Sequence, residues 1–371
     1  NGNNFYGKID AVTLWHRALE NDEILEIMNL IDPVNMDGLQ GAWSFDAGEG
    51  TLAYDHSGNS NHGDILSAEW STDVLVNNTY VPDDNFEQAL IDLGYDDAID
   101  DYVNTENISD VTTLYVDSLS ISDLTGIEGF TALTTLDCGS NALTALDVSA
   151  NTALTVLKCY TNQLTALDVS ANTALIYLDA TNNQLASVNV SGSSALATLY
   201  LGGNQLQSLD LSTNVALTSL NLWGNNISSL DLSTNTALSF LNIQDNNITS
   251  MDMRYNTELV TLYCHNNALT SLNVSNNTAL YRLWCYGNQL TELSVTNNTG
   301  LGILYCYTNQ LTALNVSNNT ALTKLWCYDN QLTGLDVSNN TGLTDLRVQN
   351  NSITALDVSA NTALTNLSCR D

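Results

Sequence analysis

Basic side chains are scarce in this sequence. Its 371 residues carry 8 lysines and arginines against 41 aspartates and glutamates, a formal net charge of −33. Nucleic acids and anionic lipids are bound through positive charge, and no basic run here could engage phosphates. So acidic a surface is typical of soluble proteins in a salty, calcium-containing exterior, where counterions screen the repulsion. We therefore expect a secreted or cell-surface protein with no nucleic-acid partner.

Long apolar runs are missing as well. No stretch approaches the roughly 18–20 apolar residues of a membrane helix, so no membrane insertion is expected. The opening NGNNFYGKID lacks a methionine and the basic and apolar regions of a signal peptide. The last turn, LSCRD, stops without the polar end-cap of a natural solenoid. We expect a processed or excised piece of an exported protein, with further domains of the same chain at both ends.

Groups that would carry catalysis are not evident. The sequence shows no paired nucleophile and base, no acid–base pair and no phosphate-binding loop. Of four histidines, only His265 lies on the exposed side of the repeats described next, with no cysteine or serine nucleophile beside it. We expect no enzyme activity and no resident cofactor, with calcium binding left open as an alternative.

A strict repeat occupies the larger part of the chain. An asparagine follows most of its leucine anchors by five positions, and a second ladder of Leu-Asp-Val type lies ten residues after each anchor. Such a period predicts a solenoid, in which each turn buries its apolar face only against its neighbours. The anchors, each 21 residues apart, are Leu136, Leu157, Leu178, Leu199, Leu220, Leu241, Leu262, Leu283, Leu304, Leu325, Leu346 and Leu367.

The repeat LTVLKCYTNQLTALDVSANTA (residues 154–174) resembles the pattern LxxLxCxxNxLxxLDLxxNxx of short bacterial leucine-rich repeats, sometimes called IRREKO repeats. The resemblance covers residues 111–371 and implies a mainly β fold, a parallel-sheet solenoid of about twelve turns truncated at its C-terminus. It implies one strand per turn at Leu-x-Cys and a second extended segment at Leu-Asp-Val. The alternation of apolar residues also predicts a strand at Leu-x-Cys, because Leu283 and Cys285 point to one side of an extended chain. The asparagines are expected to bond backbone groups and each other along the stack.

Residues 77–110 are predicted to form a linker and a helical cap. VPDDNFEQALIDLGYDD predicts a helix over residues 83–93, with aspartates at its start and Gly94 at its end. Its apolar stripe is Phe86, Leu90 and Leu93. Ten acidic residues lie between Asp83 and Asp110. We interpret them as a solvated face, with a calcium site as the alternative, although no EF-hand spacing is present.

Residues 1–76 carry motifs of another family. FYGKIDAVTLWHRALENDEIL resembles the closing strand and short helix of laminin-G-like (concanavalin-A-like) jelly rolls, and LQGAWSFDAGEGTLAYDHSGNSNHG resembles their WxFDEGxG and DxSGNxNxG segment. The resemblance implies an incomplete C-terminal part of a β jelly roll, with a helix over about residues 20–30. A jelly roll joined to leucine-rich repeats is similar to secreted surface proteins of gliding bacteria. Oxygen ligands at loop spacing predict a calcium site, with asparagine-glycine turns as the alternative: Asp46, Asp55, Asn59 and Asn61.

The seven cysteines share one repeat position, two residues after the anchor. Other turns place valine, leucine, isoleucine or alanine there, which is typical of a small buried hydrophobe. A zinc site needs converging ligands, and a disulfide framework would not leave an odd count. We expect reduced, unliganded thiols, buried everywhere except at Cys369. They are Cys138, Cys159, Cys264, Cys285, Cys306, Cys327 and Cys369.

Aromatic side chains flank the cysteines of three successive turns and are predicted to face outward. The expected plate of six rings is Trp284, Tyr286, Tyr305, Tyr307, Trp326 and Tyr328, with Tyr263, His265, Arg282 and Lys324 at its rim. An open apolar patch usually marks a contact surface. This predicts a binding or adhesion protein whose partner is an extracellular glycan or protein. The alternative is that the rings only stabilise the sheet, leaving a structural spacer.

The second ladder carries a column of aspartates. Stacked carboxylates repel, so bound cations are one interpretation, and acceptance of turn amides is the other. The column contains Asp147, Asp168, Asp210, Asp231, Asp252, Asp336 and Asp357.

Overall fold

The computed structural model of the protein describes residues 12–19, 38–43, 52–57, 59–64 and 78–370. The chain divides into two compact units, residues 1–77 and residues 78–371. Asp46 and the helix predicted over residues 20–30 lie outside the described residues.

The described part of the first unit consists of two antiparallel strand pairs. Strand β1 (Val12–Trp15) pairs with β2 (Leu39–Trp43), and β3 (Leu52–Ala53) pairs with β4 (Gly63–Asp64). These two pairs do not show a jelly roll, so the laminin-G-like assignment stays a prediction.

The second unit begins with the predicted cap. Helix α1 (Asp84–Asp92) follows β5 (Asn78–Tyr80), which pairs antiparallel with β6 (Tyr102–Asn104). The Asp83 carboxylate caps α1 by accepting the amides of Asn85 and Phe86, both at 3.0 Å. After the helix, Gly94 adopts the left-handed φ of 81° expected at a C-terminal stop.

Two details of the cap differ from the prediction. Leu93 is 47% exposed, because it lies beyond the last turn of α1 and leaves the apolar stripe. A short helix, α2 (Thr105–Ile108), and a 3-10 turn (Ile127–Gly129) were not expected. Four and three residues are too few for a helical period to be visible in the sequence.

A parallel sheet of thirteen strands forms the body of the second unit, with one strand per turn, confirming the predicted solenoid. Each leucine anchor pairs with the next, so Leu283 lies between Leu262 and Leu304. The strands after β6 are β7 (Thr113–Tyr115), β8 (Thr135–Asp137), β9 (Val156–Lys158), β10 (Ala166–Asp168), β11 (Tyr177–Asp179), β12 (Ser187–Asn189), β13 (Thr198–Tyr200), β14 (Ser219–Asn221), β15 (Phe240–Asn242), β16 (Thr261–Tyr263), β17 (Arg282–Trp284), β18 (Ile303–Tyr305), β19 (Lys324–Trp326), β20 (Asp345–Arg347) and β21 (Asn366–Ser368). All of them except β10 and β12 belong to this sheet.

The second extended segment is less regular than predicted. Within residues 78–370 it forms paired strands only at β10 and β12, with one further bridge between Asn273 and Ser294. In most turns the aspartate of Leu-Asp-Val accepts the amide two residues later, as Asp147 does from Ser149 at 2.9 Å. That local bond uses a backbone amide that would otherwise donate to the neighbouring strand if the extended segment were longer.

The inward columns form one continuous apolar core. The leucine anchors from Leu136 to Leu346 are fully buried, and so are all the cysteines except the exposed Cys369. Facing them, the second ladder buries residues such as Val148, Met253 and Val337. Since no single turn could bury its own apolar side, stacking supplies the core.

Two asparagine columns join the turns. Asn288 donates from Nδ2 to the carbonyls of Cys264 in the preceding turn and Cys285 in its own, at 3.0 and 3.1 Å, and its Oδ1 accepts the Leu269 amide at 3.0 Å. In the other column, Asn172 donates to the Asn151 backbone carbonyl at 2.9 Å. The asparagines of this second column thus bond each other from side-chain amide to backbone carbonyl, whereas those of the first column donate to other backbone carbonyls, such as that of Cys264.

The residue before each asparagine of the first column, the one that contains Asn288, reverses the chain. It takes a left-handed φ in turn after turn, for example 62° at Gly287 but also 51° at Thr308, where a β-branched side chain is strained. Because this residue comes directly after the second outward side chain, the two outward side chains of each turn lie side by side ahead of the reversal. Within the described residues, no helix has the length and apolar character needed to cross a membrane.

Candidate functional site

The candidate surface lies on the outer face of the parallel sheet. Around each buried cysteine the two neighbouring side chains project outward, as Trp284 and Tyr286 do beside Cys285. This alternation is a property of any extended strand. Because adjacent turns are in register, outward residues at equal repeat positions lie one strand apart, close enough for aromatic rings to meet.

Four rings form a first row across β16 to β19. It consists of Tyr263, Trp284, Tyr305 and Trp326. Successive ring centroids are 4.2, 5.2 and 4.0 Å apart, and the ring planes differ by 26°, 21° and 14°. These values describe stacked rings along the whole row.

A second row runs parallel to the first, one position after each cysteine. It consists of His265, Tyr286, Tyr307 and Tyr328. Their centroids are 4.1, 4.2 and 4.3 Å apart, with interplanar angles of 21°, 10° and 9°. The rows also touch each other, since Trp284 lies 5.9 Å from His265 and Trp326 lies 6.3 Å from Tyr307.

Stacking leaves the rings with their edges outward. Tyr305 is 9% exposed and His265 only 3%, and most other members of the rows are half-buried. The indole Nε1 atoms of Trp284 and Trp326 are covered and have no hydrogen-bond partner among the described residues. The expected plate therefore presents ring edges and hydroxyls, with its ring faces turned towards neighbouring rings. Tyr263 and His265, expected at the rim, continue the two rows as full members.

Cations border the two rows. Arg282 and Lys324 are exposed on the strands that carry Trp284 and Trp326, as the rim prediction placed them. A third cation, Arg347, was not predicted as part of the site. Its guanidinium carbon lies 3.9 Å from the Trp326 ring centroid and closes the end of the first row. Its Nε donates to Asp345 at 3.3 Å. Strict register would have identified it, because Arg347 pairs with Trp326 across β19 and β20.

The tyrosine hydroxyls of the second row stay protonated at physiological pH. Burial, and then the neighbouring hydroxyl of Tyr286, raises the pKa of Tyr307 to about 12. Burial and the proximity of Tyr307 raise the pKa of Tyr328 to about 12. Both hydroxyls are consequently available as neutral donors and acceptors at the edge of the row.

His265 begins the second row as a neutral imidazole. Burial lowers its pKa from 6.5 to about 4, against the opposing effect of the Asp245 carboxylate. Its Nδ1 has no hydrogen-bond partner among the described residues. The histidine acts here as a ring stacked on Tyr286.

The cysteines behind the rows are separated from solvent. Burial raises the pKa of the Cys285 thiol to about 12 and that of Cys327 likewise. No disulfide links the seven cysteines, all of which lie among the described residues. Thiols held in this form are weak nucleophiles and weak metal ligands.

The aspartate column of the second ladder is bonded locally. Asp147, Asp210 and Asp357 each accept the amide of the serine two residues later, at 2.9 Å. These serine bonds hold the pKa of each of the three carboxyls below its usual value. This geometry is the one expected if the aspartates accept turn amides.

The residues of the predicted jelly-roll calcium site are partly described. Asp55 is buried, and its two oxygens accept the amides of Ala42, Ser57 and Asn61 at 2.9, 2.9 and 2.7 Å. Although burial alone would raise it, the Ser57 side chain and these amides hold the pKa of Asp55 far below its usual value. The Asn59 and Asn61 amides donate to the carbonyl of Gln40. Calcium there stays a prediction, and Asp46 lies outside the described residues.

Comparison with known proteins gives the relatives of the chain. No sequence-family profile matches it. Among curated proteins, internalin J of Listeria monocytogenes serotype 4b is 38% identical over 74 residues, which are 20% of this chain and 8% of that protein. The match thus spans under a tenth of that relative's length.

Solved structures match over much more of the chain. The functional domain of InlJ from Listeria monocytogenes, described as including a cysteine ladder, is 36% identical with a TM-score of 0.71, over 79% of this chain and 71% of that one. A leucine-rich repeat protein of Leptospira interrogans (TM-score 0.67, covering 71% of this chain and 73% of that one) and the internalin InlF of Listeria monocytogenes (0.61, covering 78% and 95%) are each 24% identical and support the fold alone.

The InlJ domain shares both the solenoid and a column of cysteines with this chain, at an identity well above that of the fold-level neighbours. The chain belongs to the leucine-rich repeat proteins of the internalin type.

Proposed function

We propose that this chain is a secreted or cell-surface binding protein of the adhesion type, and that its two aromatic rows bind an extracellular protein. The observation that carries the proposal is the concentration of eight stacked rings on four adjacent strands. Three of the chain's 8 basic residues, Arg282, Lys324 and Arg347, border these rings in a protein of net charge −33. Tyrosine, tryptophan and arginine are the side chains that dominate protein-binding hot spots.

The orientation of the rings favours a protein over a glycan. A sugar stacks its apolar side on a free aromatic face, whereas the faces in both rows lie 4.0–5.2 Å from the next ring. The ring edges and the hydroxyls of Tyr307 and Tyr328 remain for contact. A flat, ridged surface of this kind suits the side chains of a partner protein. Glycan binding is kept as an outcome of the test.

Sheet stabilisation alone is the competing account, and each stacked pair would add about 0.5–1.5 kcal/mol to the fold. The sheet, however, does not need aromatics at these positions. In β14 and β15, the two strands before the first row, the same column holds Asn221 and Asn242, which pair in the same register. A spacer could therefore carry asparagine throughout, and the cluster of rings calls for a further role.

The test compares a double variant with a matched control. Trp284→Ala with Trp326→Ala removes two rings of the first row, and Trp223→Ala removes an outward indole on the same face outside both rows. Each protein is used to capture partners from a display library of extracellular proteins and from a glycan array. Since a hot-spot ring contributes about 1–3 kcal/mol, we expect the double variant to bind its protein partner at least tenfold more weakly.

The control should bind like the wild type. Circular dichroism should show an intact sheet in every variant, because the inward columns are unchanged. Equal binding by all three proteins would mean that the partner docks elsewhere. A loss of stability with unchanged binding would favour the spacer, and capture of glycans alone would replace the protein partner.

A further inference from the structure

Three carboxylates converge on one point of the N-terminal cap. Asp84 and Glu87 lie in the first turn of α1, and Asp101 directly precedes β6. One oxygen atom from each of them lies within 4.8 Å of the other two. Asp101 holds this position with a left-handed φ of 68°.

Glu87 is the unusual member of the cluster. Its side chain is fully buried. Its Oε1 accepts the backbone amides of Asp100 and Tyr102 at 2.9 and 3.1 Å, which fixes the carboxylate. Its Oε2 is also buried and has no hydrogen-bond partner among the described residues. A carboxylate oxygen in that position requires a positively charged or donating partner.

No lysine or arginine near the cluster in sequence can supply a positively charged partner. Ten acidic residues lie between Asp83 and Asp110, and neither lysine nor arginine occurs between Arg17 and Lys158. Lys158 itself pairs with Asp137 at 3.2 Å. The positive end of the α1 macrodipole favours carboxylates in the first turn, but it gives Glu87 Oε2 no donor. A cation from solution can supply the compensating charge.

We propose that the cap binds a calcium ion between Asp84, Glu87 and Asp101. Calcium prefers oxygen ligands at about 2.3–2.6 Å, so oxygens on opposite sides of the ion are about 4.8 Å apart. Three oxygens within that separation can share one ion, and water completes its shell on the exposed side of Asp84 and Asp101. Magnesium would need opposite oxygens only about 4.1 Å apart in a strict octahedron. The bound ion ties the start of α1 to the strand that pairs with β5.

The test is calorimetric titration of calcium into the 371-residue chain. The variants are Asp84→Asn, Asp101→Asn and the two combined. Asparagine tolerates the left-handed backbone at residue 101. The matched control is Asp92→Asn at the other end of α1, where Asp92 accepts the Gln88 amide at 2.9 Å and asparagine still can. Any calcium held in residues 1–77 is common to all variants, so the difference between them reports the cap.

We expect each single variant to raise the calcium Kd at least tenfold, and the double variant to lose one bound ion per chain. Asp92→Asn should change the Kd less than twofold. Calcium should raise the Tm of the wild type by more than that of the double variant. The proposal is overturned by an unchanged stoichiometry and Kd in the double variant. It is equally overturned by tighter binding of magnesium, or by no binding at about 10 mM calcium, above the range of extracellular calcium modules.

Discussion

Replacing one buried asparagine of the first asparagine column should destabilise the solenoid far more than replacing an exposed asparagine nearby. Asn288 is 9% exposed and joins two turns in the middle of the array. Asn288→Ala removes its Nδ2 bonds to the carbonyls of Cys264 and Cys285, at 3.0 and 3.1 Å. It also removes the Oδ1 acceptor of the buried Leu269 amide, at 3.0 Å.

The magnitude follows from which groups are left without partners. The Cys264 and Cys285 carbonyls keep the amides of Asn267 and Asn309, at 3.2 and 3.0 Å, so neither is orphaned. Losing the two bonds costs about 0.5–1.5 kcal/mol each. Among the described residues the Leu269 amide donates only to Asn288 Oδ1, and burying it unpaired adds about 1–3 kcal/mol. The expected loss in the free energy of unfolding is about 2–6 kcal/mol.

Urea unfolding followed by circular dichroism measures this loss. The control is Asn276→Ala in the adjacent turn, where an exposed asparagine makes one long bond to the Arg254 carbonyl at 3.3 Å. That variant should lose less than about 0.5 kcal/mol. Equal effects of the two substitutions, or a loss below about 1 kcal/mol at Asn288, would refute the idea that the asparagine column holds the turns together.

Three further outcomes are expected. The pKa of His265 falls from 6.5 to about 4 on folding, so the folded state favours the neutral imidazole. The contribution of this preference to the free energy of unfolding is complete above pH 6.5 and is lost on acidification. Wild type should lose about 2 kcal/mol more than His265→Phe between pH 7.5 and pH 5 in urea unfolding. A thiol reagent should label Cys369 rapidly and the six buried cysteines only on unfolding, and reductant should leave the Tm unchanged. Thr308→Gly should raise the free energy of unfolding by about 1 kcal/mol, because glycine relieves the left-handed strain at φ 51°.

The sequence predicted the repeated part of the fold closely. An unbroken 21-residue period sets the register of every strand, so the burial of Leu283 and Cys285 and the outward direction of Trp284 follow from alternation. The left-handed turn residues were not predicted, since glycine occupies this position in only three turns and residues such as Thr308 and Asp329 occupy it in the others. The residue types at this position do not reveal the left-handed backbone, because the neighbouring turns impose it.

The side-chain geometry of the surface was only partly predictable. Register placed Trp284, Tyr305 and Trp326 in one column, but it could not say whether the rings would lie flat or stack. Rings one strand apart gain more from contacting each other than from spreading over the sheet, because their faces leave water. The cap cluster was hidden for another reason. Glu87 and Asp101 are 14 positions apart and meet only once α1 packs beside β6.

The most direct test of the binding face is hydroxyl-radical footprinting of the chain alone and in complex with its captured protein partner. Tyr115 and Tyr255, which are 60% and 49% exposed outside the two rows, serve as internal controls. The proposal predicts that labelling of Tyr286, Tyr307 and Tyr328 falls at least fivefold in the complex while both controls stay unchanged. Unchanged labelling of these three tyrosines in a stable complex would contradict it.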